Sequence, residues 1–157
     1  MDLSPVLTNV PHNHAQCISD ALEMAEAVCA KRGTRLTPIR RRVLELVWNG
    51  HKPVGAYAIL DSLREGSKGA APPTVYRALD FLMEEGLIHR IESLNAFVAC
   101  DTRDHAHTAA FLLCDCCGSS EEIAIPAVPE IEATAARIGF QVKHVTLAAH
   151  GLCRGCQ

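Results

Sequence analysis

Four cysteines constrain this chain before any helix is placed. Cys114-x-x-Cys117 and Cys153-x-x-Cys156 form two CxxC pairs with 35 residues between them. Four thiolates in that pattern are the donor set of a tetrahedral zinc, and a metal filled by four protein donors has no open position for catalysis. Such an ion staples a fold, contributing on the order of 10 kcal/mol. The intervening stretch exceeds a compact zinc ribbon, so it must carry elements of its own. A redox reading of either CxxC would require it to open a helix after a strand in a βαβ setting, which neither does. Pairing Cys114 with Cys116 instead of Cys117 would give a CxC first pair, and Cys116 is kept as an alternative.

The metal reading depends on the compartment. MDLSPVLTNV has no basic residue ahead of an apolar stretch, which argues against a secretory signal. No apolar run approaches the ~18 residues a spanning helix needs. Eight Cys in a chain without those features are expected as metal or redox thiols in the cytoplasm rather than as a disulfide framework. With 157 residues, 48% of them hydrophobic, there is material for one ordinary domain or two small ones.

A net charge of -3 hides an asymmetry. Residues 31–90 carry 11 bases and 6 acids, while the flanking thirds are acidic. Within 31–52, seven bases (Lys31, Arg32, Arg35, Arg40, Arg41, Arg42, Lys52) face the single acid Glu45. A basic segment in an acidic chain is the footprint of a phosphate-binding module, and also of a solvated helix face.

Apolar periodicity predicts a helix over 17–31, a second from Thr37-Pro38 to Asn49-Gly50, a third over 55–65 and a fourth from Pro72-Pro73-Thr74 to Gly86. At Thr37-Pro38 a hydroxyl N-cap is expected ahead of Pro at the first helical position. Residues 87–92 and 96–100 have strand character, joined by Ser93-Leu94-Asn95. Short helices followed by a hairpin give the order of a winged helix, whose last helix enters the DNA major groove. The polar stretch 101–104 is the expected hinge, dividing a DNA-binding domain at 1–100 from a metal-binding domain at 105–157. Beyond the hinge, strands are expected over 108–113, 121–125 and 141–148, with a helix over 129–138. The fold class is therefore α+β: an N-terminal winged helix-turn-helix domain plus a small C-terminal α/β domain, in character with a metal staple.

A second set of ligand-type residues lies around the hinge: His89 and Cys100 on the wing strands, His105 and His107 beyond the boundary, and Glu121-Glu122 past the first CxxC. Singly, each has an ordinary structural reading. Cys17 and Cys29 read as packing residues, and His12, His14, His51, His144 and His150 have no partner at usable spacing.

PPTVYRALDFLMEEGLIHRIES, the CDCCG segment and the terminal HGLCRGC together resemble the ferric uptake regulator family of bacterial metal sensors, particularly its zinc uptake regulator branch. The likeness runs from about residue 20 to 156. It implies a homodimeric, DNA-binding transcriptional repressor of zinc-uptake genes. A dimerisation domain would hold structural zinc at Cys114, Cys117, Cys153 and Cys156. A sensing zinc at the hinge would fall on His89, Cys100, His107 and Glu122, making about two ions per chain. His105 is an alternative to His107, or a partner of Glu121 in a third site. The thiolate of Cys100 tips the hinge set toward zinc, since iron or manganese sensing favours imidazoles and carboxylates without sulfur.

On DNA, Tyr76 and Arg77 are expected at the exposed start of the fourth helix, Arg77 bidentate to a guanine and Tyr76 on a thymine methyl. Arg40, Arg41, Lys52, Thr74 and Tyr57 would hold phosphates. Asp61 and Arg64 would meet a neighbouring dimer or pair with each other one turn apart. The competing classes are an iron- or peroxide-sensing relative, a zinc-stapled interaction module without DNA affinity, and a zinc enzyme. Against the enzyme, there is no HExxH and no H-x-E ahead of a P-C-x-x-C. No small-molecule substrate and no membrane partner are expected.

Overall fold

The computed structural model describes residues 14–50, 52–66, 71–100, 109–123, 128–143 and 145–157. Four helices come first: α1 (His14–Lys31), α2 (Pro38–Trp48), α3 (Ala56–Gly66) and α4 (Pro72–Glu84). Leu22, Ala25 and Cys29 recur on one face of α1 and meet Val43, Leu44 and Val47 of α2 in a single core. Ile59 and Leu63 of α3, with Val75, Leu79 and Leu82 of α4, complete it. Cys29 is thus a core hydrophobe, its thiol pushed up by burial.

The first proline-led helix start differs in one detail from the sequence expectation. Thr37 stands at the N-cap of α2 in an extended conformation, but its hydroxyl makes no capping bond. Its carbonyl accepts the N–H of Arg41 at 2.9 Å, beginning the ladder. At α4, Pro72 and Pro73 occupy the first two positions behind Ala71, again with no side-chain cap. Proline has no N–H to leave unsatisfied, so the cap is less needed. The C-terminal end of α4 holds the buried Glu85, which receives Arg32 at 3.3 Å and is thereby tied to the α1–α2 connection.

A small antiparallel sheet follows, ordered β1 (Val54–Gly55), β3 (Ala96–Ala99), β2 (Ile88–Ile91). Two-residue β1 was not expected; it is too short to show a period. The β2–β3 turn is a single 3-10 turn, Glu92–Leu94, closed by Asn95 at φ 47°. Arg90 donates to the Asn95 side chain at 2.8 Å, holding that left-handed residue in place.

Strand alternation gives this sheet two buried faces. Ile88 and Phe97 pack into the helical core. Ile91 and Val98, of opposite parity, join Phe111 and Leu113 in a second cluster. The latter two belong to the C-terminal sheet, ordered β5 (Ser120–Ile123), β4 (Ala109–Cys114), β6 (Thr146–Gly151). The wing is therefore sandwiched between its own helices and the C-terminal lobe.

In that lobe β4 pairs antiparallel with β5 and parallel with β6, and α5 (Val128–Arg137) makes the crossover. Gly139 follows α5 with φ 75°. Among the described residues the last strand runs Thr146–Gly151, later than the 141–148 its alternation suggests, and pairs with β4 from Ala109↔Thr146 to Cys114↔Gly151. Among the described residues no helix is long and apolar enough to cross a membrane.

Candidate functional site

The parallel β4–β6 register delivers both CxxC pairs to one end of the lobe. Gly118 N–H bonds to the Cys114 carbonyl at 2.9 Å and folds the first pair into a knuckle, while Cys156 N–H does the same to Cys153 at 2.9 Å. Gly118 has φ 72°, a conformation in which a side chain would be strained. The Sγ atoms of Cys114, Cys117, Cys153 and Cys156 all lie within 4.8 Å of one another. Tetrahedral zinc with Zn–S bonds of about 2.3 Å places its sulfurs roughly 3.8 Å apart. Cys117 and Cys153 stand at 3.8 Å, the spacing such an ion requires. Exposed Cys116 stays outside this group of four.

Local hydrogen bonds favour the thiolate at Cys114 and Cys117. The N–H groups of Cys153 and then Cys117 hold Cys114 down to about 6, the former donating to its sulfur at 3.3 Å. Cys117 is lowered by the Ser119 hydroxyl, 3.1 Å away. Cys156 is raised, chiefly by its contact with the Cys153 thiol. Crowded sulfurs retain a proton, and a cation would take its place.

A second convergence lies on the seam between wing and lobe. Ligand atoms of His89, Cys100 and Glu122 lie within 4.8 Å of one another. His89 sits on β2 opposite Val98. Cys100 follows β3, with its N–H bonded to the Leu87 carbonyl at 3.1 Å. Glu122 sits on β5 opposite Phe111, whose ring lies 5.6 Å from that of His89. The Nε2 of His89 is fully buried, and Cys100 is 2% exposed. One imidazole, one thiol and one carboxylate from two halves of the chain thus converge on the seam. His107 and His105 lie outside the described residues, and Glu121 is not part of the described group.

On α4, Thr74, Tyr76 and Arg77 are exposed, opposite the buried face of Val75, Ala78, Leu79 and Leu82. Tyr57 on α3 is 75% exposed. The basic residues of α2 are more engaged than a charge count suggests. Arg40 lies over the Phe81 ring at 3.5 Å and donates to the Arg35 carbonyl at 2.7 Å. Arg41 pairs with Glu26 and, at 3.7 Å, with Glu45. Lys52 runs its side chain alongside the knuckle, its Cδ 3.9 Å from where a Cβ on Gly118 would be. Asp61 and Arg64 approach each other at 3.9 Å on the helix surface.

His150, without a partner in the sequence reading, has two here. Its Nδ1 is 3.0 Å from Asp115 Oδ1 and its Nε2 3.2 Å from the Ser93 hydroxyl. No spacing rule could have found them, because only the β4–β6 register and the wing–lobe seam bring the three together.

The profile of the ferric uptake regulator family matches residues 31–150. The zinc uptake regulation protein of Escherichia coli K12 is 46% identical over 139 residues, covering 87% of this chain and 81% of that protein. A zinc uptake regulator solved in complex with zinc and DNA superimposes with a TM-score of 0.81 at 45% identity, covering 88% of this chain and 93% of that one. The regulator XcZur in its holo form gives 0.79 at 48% identity, covering 87% and 96%. In its apo form it gives 0.53 at the same 48%, covering 88% and 97%. Identity and coverage barely change between the two forms, so the drop is one of arrangement.

Proposed function

The chain belongs to the ferric uptake regulator family, and from that premise we propose that it is a zinc-responsive repressor that binds operator DNA as a homodimer and controls zinc-uptake genes in the cytoplasm. The observation that carries this reading is the hinge group. His89 and Cys100 belong to the wing, Glu122 to the lobe, and the three ligand atoms lie within 4.8 Å of one another. His107 is proposed as the fourth donor. The boundary of the two domains is placed at 101–104, with residues 1–100 as the DNA-binding half and 105–157 as the dimerising half.

Zinc at the hinge would supply one thing: bonds to both halves at once, fixing the angle between them. The chain's own residues do the rest. The Cys114–Cys117–Cys153–Cys156 cluster closes the lobe, bringing the proposed content to about two ions per chain. In the lobe Ile138, Phe140 and Leu152 are exposed, apolar surface that a second copy would cover. In the dimer the hinge angle sets the separation of the two α4 helices, which must match successive operator half-sites. Arg77 reads a base edge and Tyr76 packs beside it, while Thr74 and Tyr57 face phosphates; Arg40, Arg41 and Lys52 would join them only by exchanging their present neighbours, Phe81, Glu26 and Glu45, and the knuckle, for phosphate. Zinc and operator binding are then reciprocally coupled, by about 1–3 kcal/mol if typical. The likeness to the holo rather than the apo form of XcZur supports an arrangement in which the hinge donors are already gathered.

An iron- or peroxide-sensing reading is disfavoured by the Cys100 sulfur. The test is zinc per chain together with operator affinity, for wild type and Cys100→Ser. About two ions falling toward one, with the fold kept and operator affinity lost, is the expected result. Unchanged zinc content with unchanged DNA binding would remove the hinge reading.

A further inference from the structure

The wing touches the lobe at a second place, away from the hinge donors. Ser93 lies in the 3-10 turn at the tip of the β2–β3 hairpin. His150 lies on β6 beside Leu113, and Asp115 opens the knuckle, with its N–H bonded to the Gly151 carbonyl at 2.8 Å. With its proton on Nδ1, the imidazole donates to Asp115 Oδ1 at 3.0 Å and accepts from the Ser93 hydroxyl at 3.2 Å. The carboxylate thus fixes the ring so that its far nitrogen meets the wing. The His150 and Asp115 side chains are 39% and 60% exposed, so the relay lies in open solvent, where its consequence is orientation. Lys52, whose Cδ would lie 3.9 Å from a Cβ placed on Gly118, brings the DNA-binding half near the same knuckle at another point.

We propose that His150 is a positioning residue, a metal-free latch by which the cysteine knuckle holds the wing tip and so helps set the angle of the DNA-binding half. This rests on the repressor reading above. The apolar seam of Ile91, Val98, Phe111 and Leu113 gives the halves adhesion but little directionality. Hydrogen bonds at the wing tip add direction at the point of longest leverage. Because Asp115 directly follows Cys114, the latch also makes the cysteine centre part of the orienting machinery.

The test is a double-mutant cycle with Ser93→Ala on the wing and His150→Ala on the lobe, in zinc-loaded full-length protein. Each single variant is expected to keep wild-type zinc content and to weaken operator binding about two- to tenfold, the range of one net hydrogen bond. The double variant is expected to lose no more than the worse single one, because either change breaks the same link. Asp115→Asn, which still accepts a hydrogen bond, is expected to recover most of the affinity that Asp115→Ala loses. Amide hydrogen exchange over residues 88–99, read without DNA, is expected to quicken in His150→Ala and Ser93→Ala alike. Multiplicative losses in the double variant, or unchanged wing exchange in either single, would overturn the latch. If wild type itself shows no zinc-dependent operator binding, the repressor reading fails, while the exchange comparison still decides the latch.

Discussion

If the hinge group holds an ion as proposed, the sulfur at position 100 does more to choose the metal than any neighbouring side chain. His89 and Glu122 could serve zinc, iron or manganese; a thiolate beside them favours the softer ion. Cys100→Asp is therefore expected to lower hinge zinc affinity by roughly tenfold or more, judged against the tenfold to hundredfold cost of mere outer-shell changes. Competition of zinc against ferrous and manganous ions measures it; an unaltered preference would mean the thiol is not a donor. Arg77→Ala is expected to cost roughly 1–3 kcal/mol on operator and to relax preference at one base. An unchanged ratio of operator to random-duplex affinity would deny it a reading role. The convergence of the four cysteines was legible in the sequence because a chelating set uses one residue type at a fixed short spacing. His150 was not, since its partners are 57 and 35 positions away. Arg40 and Arg41 show the limit of counting charge: Phe81, Glu26 and Glu45 already engage them.

At the scale of elements, helix order and the proline-led starts were readable because amphipathic period and proline geometry act locally. The 3-10 wing turn and the late start of β6 were not, because both depend on a partner strand. α4 joins the two scales, with one face in the core and the other presenting Tyr76 and Arg77. Leu79 has no exposed surface, and Leu79→Ala is expected to destabilise the DNA-binding half by about 2–5 kcal/mol. Denaturant unfolding measures the loss, and zinc content at the cysteine centre should survive it. Arg32→Ala would leave the Glu85 carboxylate buried without its cation, at a cost of about 1–3 kcal/mol. Glu85→Gln in the same background should recover part of that, because a neutral amide is cheaper to bury than a carboxylate.

For the whole molecule, the wing sheet is the element that both halves share. Its inner face completes the helical core and its outer face carries His89 against Phe111. A change in the lobe therefore reaches α4 through a few side chains rather than through a long relay. Graded chelation should separate the two centres, with operator binding lost before the lobe unfolds, since only the cysteine set is closed by four local thiols. Loss of secondary structure in step with DNA affinity would mean that one ion serves both purposes. The most direct test of a hinge ion that bridges wing and lobe is a crystal structure of the zinc-loaded protein with the ions located by anomalous scattering. One ion bonded to His89 and Cys100 from the wing and to Glu122 from the lobe is the expected result. A hinge ion whose donors all come from one half, with the other half's ligands turned away, would contradict it.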